Sequence, residues 1–425
     1  MTQSIFATVL AIAVYVSSAI GGKEAPAQPS AQQPTQVSQQ TGQKKYAVIS
    51  REAASLRQEA KGSAEIIATI PKGATVTVIS EDDSWAKVQT PDGQTGWVAL
   101  WMTKPAVAAS TAAKSGKEVL GYYARSSSGD TRGYKSFAAN LDTITSVASF
   151  SFHMDAHGNI SGNHDANLFQ LAKTRGIETL AVVTNIQGSN FNSKNIHSML
   201  TDKTARSRAV NGILRLVQEK GYSGVNIDFE GVPAGDRAEL TAFFRELSSA
   251  LRAKNLLVTA SVPAKTKEDR SSSWAGAYDY QAIAPYLDRV MIMTYDEHFK
   301  DGPAGPVASQ GWVENVIRYA LKSFPPQKIL LGIAAYGYDW TNRSGTALNL
   351  TAIQNIIDKY KITPKWHSEY QVPYFTYTKA GTRHEVWYEN RYSTAAKMRL
   401  VSQYGLRGVA VWRLGYEDSG IWQVL

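Results

Sequence analysis

The sequence predicts an α/β fold. It is a (β/α)8 barrel with a small α+β insertion between strands seven and eight, preceded by a small all-β barrel. Three observations carry this. Eight continuously apolar, strand-like runs recur after residue 117. Amphipathic helical patterns fall between them, and roughly 300 residues is the length such a barrel takes. Before them, a separate stretch is built of short alternating strands with Gly and Asp at the breaks.

At the N-terminus, Ile5 to Tyr15 is mostly apolar and is followed by Ser17, Ser18, Ala19, Gly21 and Gly22. Residues 1–22 are expected to be a signal peptide or an N-terminal anchor, although MTQS lacks the usual basic residue. Residues 23–45 are rich in Gln, Pro, Ala and Ser without hydrophobic periodicity, and are expected to be a disordered linker. A second linker of small residues (AVAASTAAKSGK) covers 105–116.

Between them, residues 46–104 carry AASLRQ, IIATIPKG, TVTVIS, WAKVQT and TGWVAL, with a hairpin signal at Asp92-Gly93. The early SLR, the IPKG turn, Trp85 and the late GWV resemble the bacterial SH3-like domain. That resemblance implies attachment to cell-wall peptide or glycan.

The eight strand runs in 117–425 are VLGYYA, ITSVASFSF, IETLAVVT, GVNIDFE, LLVTASVPA, RVMIMTYD, ILLGIAAYGYD and GVAVWRLG. Continuous apolarity, rather than alternation, is what a parallel strand buried on both faces requires. In 204–220, Val210, Ile213, Leu214 and Val217 share a helical face, and Gly221 supplies the stop. In 237–253, Leu240, Phe243, Phe244, Leu247 and Leu251 do the same, with Asp236 and Glu239 spaced as a capping box. The insertion is expected over about 341–407, where YFTYTKAGTRHEVWYEN reads as strand–turn–strand.

Composition narrows the chemistry. Lys and Arg outnumber Asp and Glu by 45 to 36, a net charge of +9, but the excess is spread along the chain. That argues against nucleic acid and fits mild attraction to an anionic surface such as a bacterial wall. The absence of cysteine excludes thiol nucleophiles, thiolate metal sites and disulfides. No cofactor and no metal ligands are expected. The seven histidines show no HExxH spacing, and His153 and His157 fall in a stretch that reads as a loop.

Catalytic groups of a barrel sit at the C-terminal ends of its strands. The fourth strand ends Asn226-Ile227-Asp228-Phe229-Glu230, and alternation puts Asn226, Asp228 and Glu230 on the interior face. Burying adjacent carboxylates is costly unless one holds a proton, which is the state a general acid needs. Groups two residues apart on one strand face come from the same side, and do not flank the bond as a retaining or inverting carboxylate pair does. The substrate would then supply its own nucleophile, as an N-acetyl group on the sugar can.

These residues resemble glycoside hydrolase family 18, the chitinase-like family, whose strand-four signature is DxxDxDxE. The matching octet is Ser223-Gly224-Val225-Asn226-Ile227-Asp228-Phe229-Glu230, with Ser and Asn in place of the first two acids. The resemblance implies Glu230 as acid then base and Asp228 as acetamido stabiliser, with Asn226 able to donate to Asp228. Met293-Thr294-Tyr295-Asp296 matches M-x-Y-D. It implies a hydrogen bond from Tyr295 to the acetamido carbonyl and a sugar-binding role for Asp296, with Met293 beside them. Trp412 corresponds to the floor under the reacting sugar. Tyr122, Phe150 and Tyr336 are further cleft candidates at the ends of strands one, two and seven.

The strings VNIDFEG, MIMTYDEH and GVAVWRLGYED most resemble the spore-germination and cortex-fragment branch, whose members are peptidoglycan N-acetylglucosaminidases, usually with LysM repeats not seen here. The expected function is a secreted or wall-associated glycosidase, including at the spore envelope. It would cut β-1,4 bonds after N-acetylglucosamine with retention. Its substrate would be peptidoglycan, with chitin as the alternative. A membrane partner is expected only if residues 1–22 stay uncleaved. A non-catalytic glycan-binding protein on the same barrel is the competing reading, disfavoured by the presence of Glu230.

Overall fold

The computed structural model describes residues 45–49, 53–106 and 116–425, apart from positions 73, 83, 91, 189 and 343. The expected signal or anchor segment 1–22 and nearly all of both linkers lie outside these residues. No helix among the described residues is long and apolar enough to cross a membrane.

The N-terminal domain is one antiparallel sheet of seven short strands, from Lys45–Ile49 to Thr103–Ala106. The hairpin expected at Asp92-Gly93 joins Trp85–Gln89 to Thr95–Ala99, with Gly93 at φ 90° as its turn requires. Leu56, Val76, Val88 and Val98 form its buried centre with Ile49.

The larger domain is a closed parallel barrel of eight strands. They are β1 (Glu118–Tyr123), β2 (Ser146–Met154), β3 (Glu178–Thr184) and β4 (Gly224–Asp228), then β5 (Leu257–Pro263), β6 (Arg289–Met293), β7 (Ile329–Ala334) and β8 (Gly408–Trp412). Each pairs with the next, and β8 pairs back onto β1. Alternation divides the strand residues between two cores. Val225, Ile227 and Phe229 face the helices. Leu120, Tyr122, Leu180, Val182, Met291 and Leu330 fill the barrel interior. A fully buried Val, Ile or Phe contributes about 1.5–3 kcal/mol of transfer free energy, so this two-sided burial supplies most of the driving force.

Helix Lys203–Lys220 begins where Asp202 accepts from the Thr204 and Ala205 amides, and ends at Gly221 with φ 74°. Helix Arg237–Arg252 buries Leu240, Phe243, Phe244, Leu247 and Leu251 as expected. Its capping box does not form. The Asp236 carboxylate instead accepts from His197 Nδ1 at 2.8 Å. The bottom of the barrel is closed by charge: Arg289 at the start of β6 lies 2.8 Å from Glu118 on β1 and also pairs with Glu178 on β3.

Other expectations change as well. The seventh run is two strands of different sheets. β7 stops at Ala334, and Tyr336–Thr341 opens a five-stranded antiparallel sheet with Ser344–Asn349, Lys365–His367, Val372–Lys379 and Thr382–Tyr388. The insertion sheet thus starts earlier than 341 and ends at Tyr388. Helix Arg391–Gln403 buries Leu400 and Val401 in the barrel's main core, not in the insertion. His153 also belongs to β2, which runs past the expected boundary because Ile160–Gly162 pairs with it as a hairpin.

Candidate active site

Asn226, Asp228 and Glu230 rise along β4 towards the barrel mouth. Asn226 is fully buried and Asp228 nearly so. Below the carboxylates is a hydroxyl network. Tyr122 Oη lies 2.7 Å from Ser261 Oγ, and both reach Asn226 Oδ1, at 3.2 and 3.0 Å. The Asn226 amide N–H goes to Thr259 Oγ1 at 3.2 Å and to Met291 Sδ at 3.4 Å. Both ends of Asn226 are therefore engaged below the site, so its expected donation to Asp228 is not made, while the neighbouring Ser261 hydroxyl favours the charged form of Asp228. The reason is register: Asn226 sits level with Thr259 on β5.

Burial dominates the electrostatics. It pushes Asp228 up to about 7 against the lowering effect of Ser261. It raises Glu230 well above the usual carboxylate range, and the negative charges of Asp228 and Asp296 add to the rise. Two adjacent carboxyl groups raised in this way share protons rather than ionising independently. Burial also keeps the Tyr122 and Tyr295 phenols protonated, with Asp228 reinforcing both.

Tyr295 and Asp296 follow β6. Asp296 takes a left-handed backbone conformation, φ 61°, which Asp adopts more readily than most residues. Its carboxylate receives the Tyr336 hydroxyl at 2.6 Å and the Tyr338 hydroxyl at 2.9 Å. Tyr336 is thus committed to Asp296, with its ring centroid 6.2 Å from that of Tyr295. Met293 is half-buried at the end of β6, level with Pro263 and on the same inward face as Met291.

The aromatic side is formed by Trp412, which ends β8 and is joined to Arg413 by a cis peptide bond. Its ring meets Tyr122 edge-on at 5.5 Å and Phe150 at 5.0 Å. Trp412 also joins a cluster with Tyr295, Tyr336, Tyr338 and Trp340, so the first strand of the insertion extends the aromatic wall. Sequence reasoning missed Ser261, Tyr338 and Asn185. Ser261 and Thr259 are polar residues alternating within an otherwise apolar strand, and Asn185 directly follows β3. Those positions were the available signals.

A (β/α)8 barrel whose mouth holds protonatable carboxylates beside an aromatic platform has the parts a glycoside hydrolase uses. The family models agree: residues 118–417 match glycosyl hydrolases family 18, and residues 52–103 match the bacterial SH3 domain. The chain belongs to glycosyl hydrolase family 18. It is 33% identical over 319 residues to the uncharacterized glycosylase YvbX of Bacillus subtilis (strain 168), covering 74% of this chain and 92% of that protein. It is 30% identical over 289 residues to the cortical fragment-lytic enzyme of the same organism, covering 66% and 67%. Among solved structures, a chitinase from Chromobacterium violaceum ATCC 12472 superposes with a TM-score of 0.68 at 34% identity, covering 72% of this chain and 97% of that one.

Proposed function

We propose that this glycosidase hydrolyses the β-1,4 bond after N-acetylglucosamine in peptidoglycan, by substrate-assisted catalysis with retention. The observation that carries the reading is the adjacent Asp228–Glu230 pair at the barrel mouth, Asp228 buried and Glu230 half-buried, with Asp228 raised to about 7 and Glu230 raised well above its ordinary value. Protonated Glu230 donates to the leaving oxygen. The acetamido oxygen of the bound sugar attacks its own anomeric carbon as that bond breaks. Asp228, as carboxylate, holds the acetamido N–H and offsets the positive charge that develops on the ring so formed. Tyr295, kept protonated, donates to the acetamido oxygen. Glu230, now ionised, takes a proton from water as the water opens the ring from the vacated face, so the configuration is retained. Asp296 and Met293 bound the sugar, and Trp412 offers its face as the floor.

Peptidoglycan is preferred to chitin because a cortical fragment-lytic enzyme is among the relatives and a bacterial SH3 domain precedes the barrel. The chitinase neighbour supports the alternative. A secreted or wall-associated location, including the spore envelope, follows from the same reading. The domain limits 46–104 and 117–425 are part of the proposal. Mass spectrometry of products from purified peptidoglycan and from chitin tests it: new reducing-end N-acetylglucosamine from peptidoglycan supports the preferred substrate, and release from chitin alone transfers the assignment to a chitinase.

A further inference from the structure

We infer that Asn185 is a positioning residue that fixes the backbone of Glu230 and thereby aims its carboxyl group. The ladder between β3 and β4 ends at the pair Thr184–Asp228. Beyond it the β3 chain leaves into the small hairpin of Ile186–Gln187 with Asn190–Phe191. The Glu230 peptide groups therefore have no β3 backbone opposite them.

The Asn185 side chain takes that place. Its Oδ1 accepts the Glu230 amide N–H at 2.9 Å, and its Nδ2 donates to the Glu230 carbonyl oxygen at 2.8 Å. A side-chain amide presents an N–H donor beside a C=O acceptor, as a peptide group does, so it reproduces the two-bond pair of a sheet ladder and keeps a second N–H for another acceptor. Asn185 is 1% exposed. It is anchored in turn to Asn192, whose carbonyl accepts from Nδ2 at 3.3 Å and whose N–H donates to the Asn185 carbonyl.

On the other flank, the Tyr278 hydroxyl donates to the Phe229 carbonyl. Gly231 then turns the chain away at φ 64°. Glu230 is thus tied on both sides of its α-carbon, which leaves its side chain to be oriented by χ rotations alone. Serine, glutamine and leucine cannot make the same two bonds: the first is too short, the second too long, and the third has no polar atoms. A neutral aspartic acid can.

This inference rests on Glu230 being the general acid, and its test separates the two. The full chain is assayed on a soluble N-acetylglucosamine oligomer across pH, as wild type, Asn185→Ala and Asn185→Asp. A misplacement of about 1 Å costs on the order of 10²-fold in rate. Asn185→Ala is expected to lose kcat on that scale, with KM little changed and a loss that does not vary with pH. In Asn185→Asp, the protonated carboxyl restores both bonds. The ionised form loses the donor and sets an oxygen against the Glu230 carbonyl. The kcat ratio of Asn185→Asp to wild type should therefore rise as pH falls. The isosteric variant also covers the case in which the alanine variant fails to fold.

Wild-type kcat in Asn185→Ala would overturn the inference. So would equal, pH-independent losses in both variants accompanied by lowered thermal stability. A ratio that rises towards alkaline pH would overturn it too, because that is the sign of an added charge raising the Glu230 pKa. Should Glu230→Gln keep its turnover, the assignment of Glu230 itself falls. Should that variant be inactive while Asn185→Ala is normal, only the clamp falls.

Discussion

Tyr122 on β1 and Ser261 on β5 meet across the barrel, hydroxyl to hydroxyl, at 2.7 Å. The Ser261 hydroxyl favours the ionised form of Asp228, while burial opposes ionisation. Ser261→Ala removes the lowering influence and leaves the burial. The Asp228 pKa should rise further. The acid limb of the kcat/KM profile should move to higher pH, because in the proposed mechanism Asp228 acts as a carboxylate on the acetamido group. An unmoved acid limb would show that Ser261 does not act on the reaction.

Asp228 should also cost stability. Its folded value, about 7, lies above its ordinary value of 3.8. A group raised in this way contributes stability that is present below its unfolded pKa and lost as pH rises through its folded pKa. Asp228→Asn should therefore be inactive yet gain in Tm relative to wild type, with the gain absent near pH 4 and fully developed above about pH 7. Thermal denaturation at several pH values checks this. A Tm difference constant across pH would contradict it.

The opposite end of the barrel should affect stability alone. Arg289 is nearly buried between Glu118 and Glu178. Removing one partner of such a cluster typically costs about 3–5 kcal/mol. Arg289→Met should lower Tm strongly while kcat at a temperature where the variant is folded stays near wild type. A large loss of kcat in the folded variant would mean that the bottom of the barrel shapes the mouth.

Deleting residues 1–104 should preserve activity on soluble oligosaccharides and weaken it on insoluble wall, because the role proposed for the SH3 domain is to raise local concentration there. Tyr392 loses its 2.9 Å bond to the Thr103 carbonyl, and water can replace that acceptor. Equal rates on intact walls with and without the segment would reduce the domain to a spacer.

Much of the fold was legible in the sequence because strands buried on both faces must be apolar throughout. Asp228 and Glu230 were legible because charge is costly at the end of such a strand. The end of β7 was not: Tyr336, Tyr338 and Trp340 continue the apolar run while changing sheets. Hydrogen-bond choices were also hidden, since they depend on partners distant in the chain. Asp236 has the spacing of a cap, yet His197, 39 residues away, takes its carboxylate. The clamp from Asn185 spans 45 residues. Asn226 can donate to a neighbour on its own strand, but Thr259 stands level with it on the next one.

The most direct measurement is turnover by Glu230→Gln on a soluble N-acetylglucosamine oligomer, alongside the affinity of the same variant for that oligomer. The amide keeps the shape of the side chain but has no proton to give the leaving oxygen, and loss of a general acid costs about 10²–10⁴-fold. The expected result is that kcat falls on that scale while binding is retained. A kcat close to wild type, with binding intact, would contradict it and place the acid on another residue.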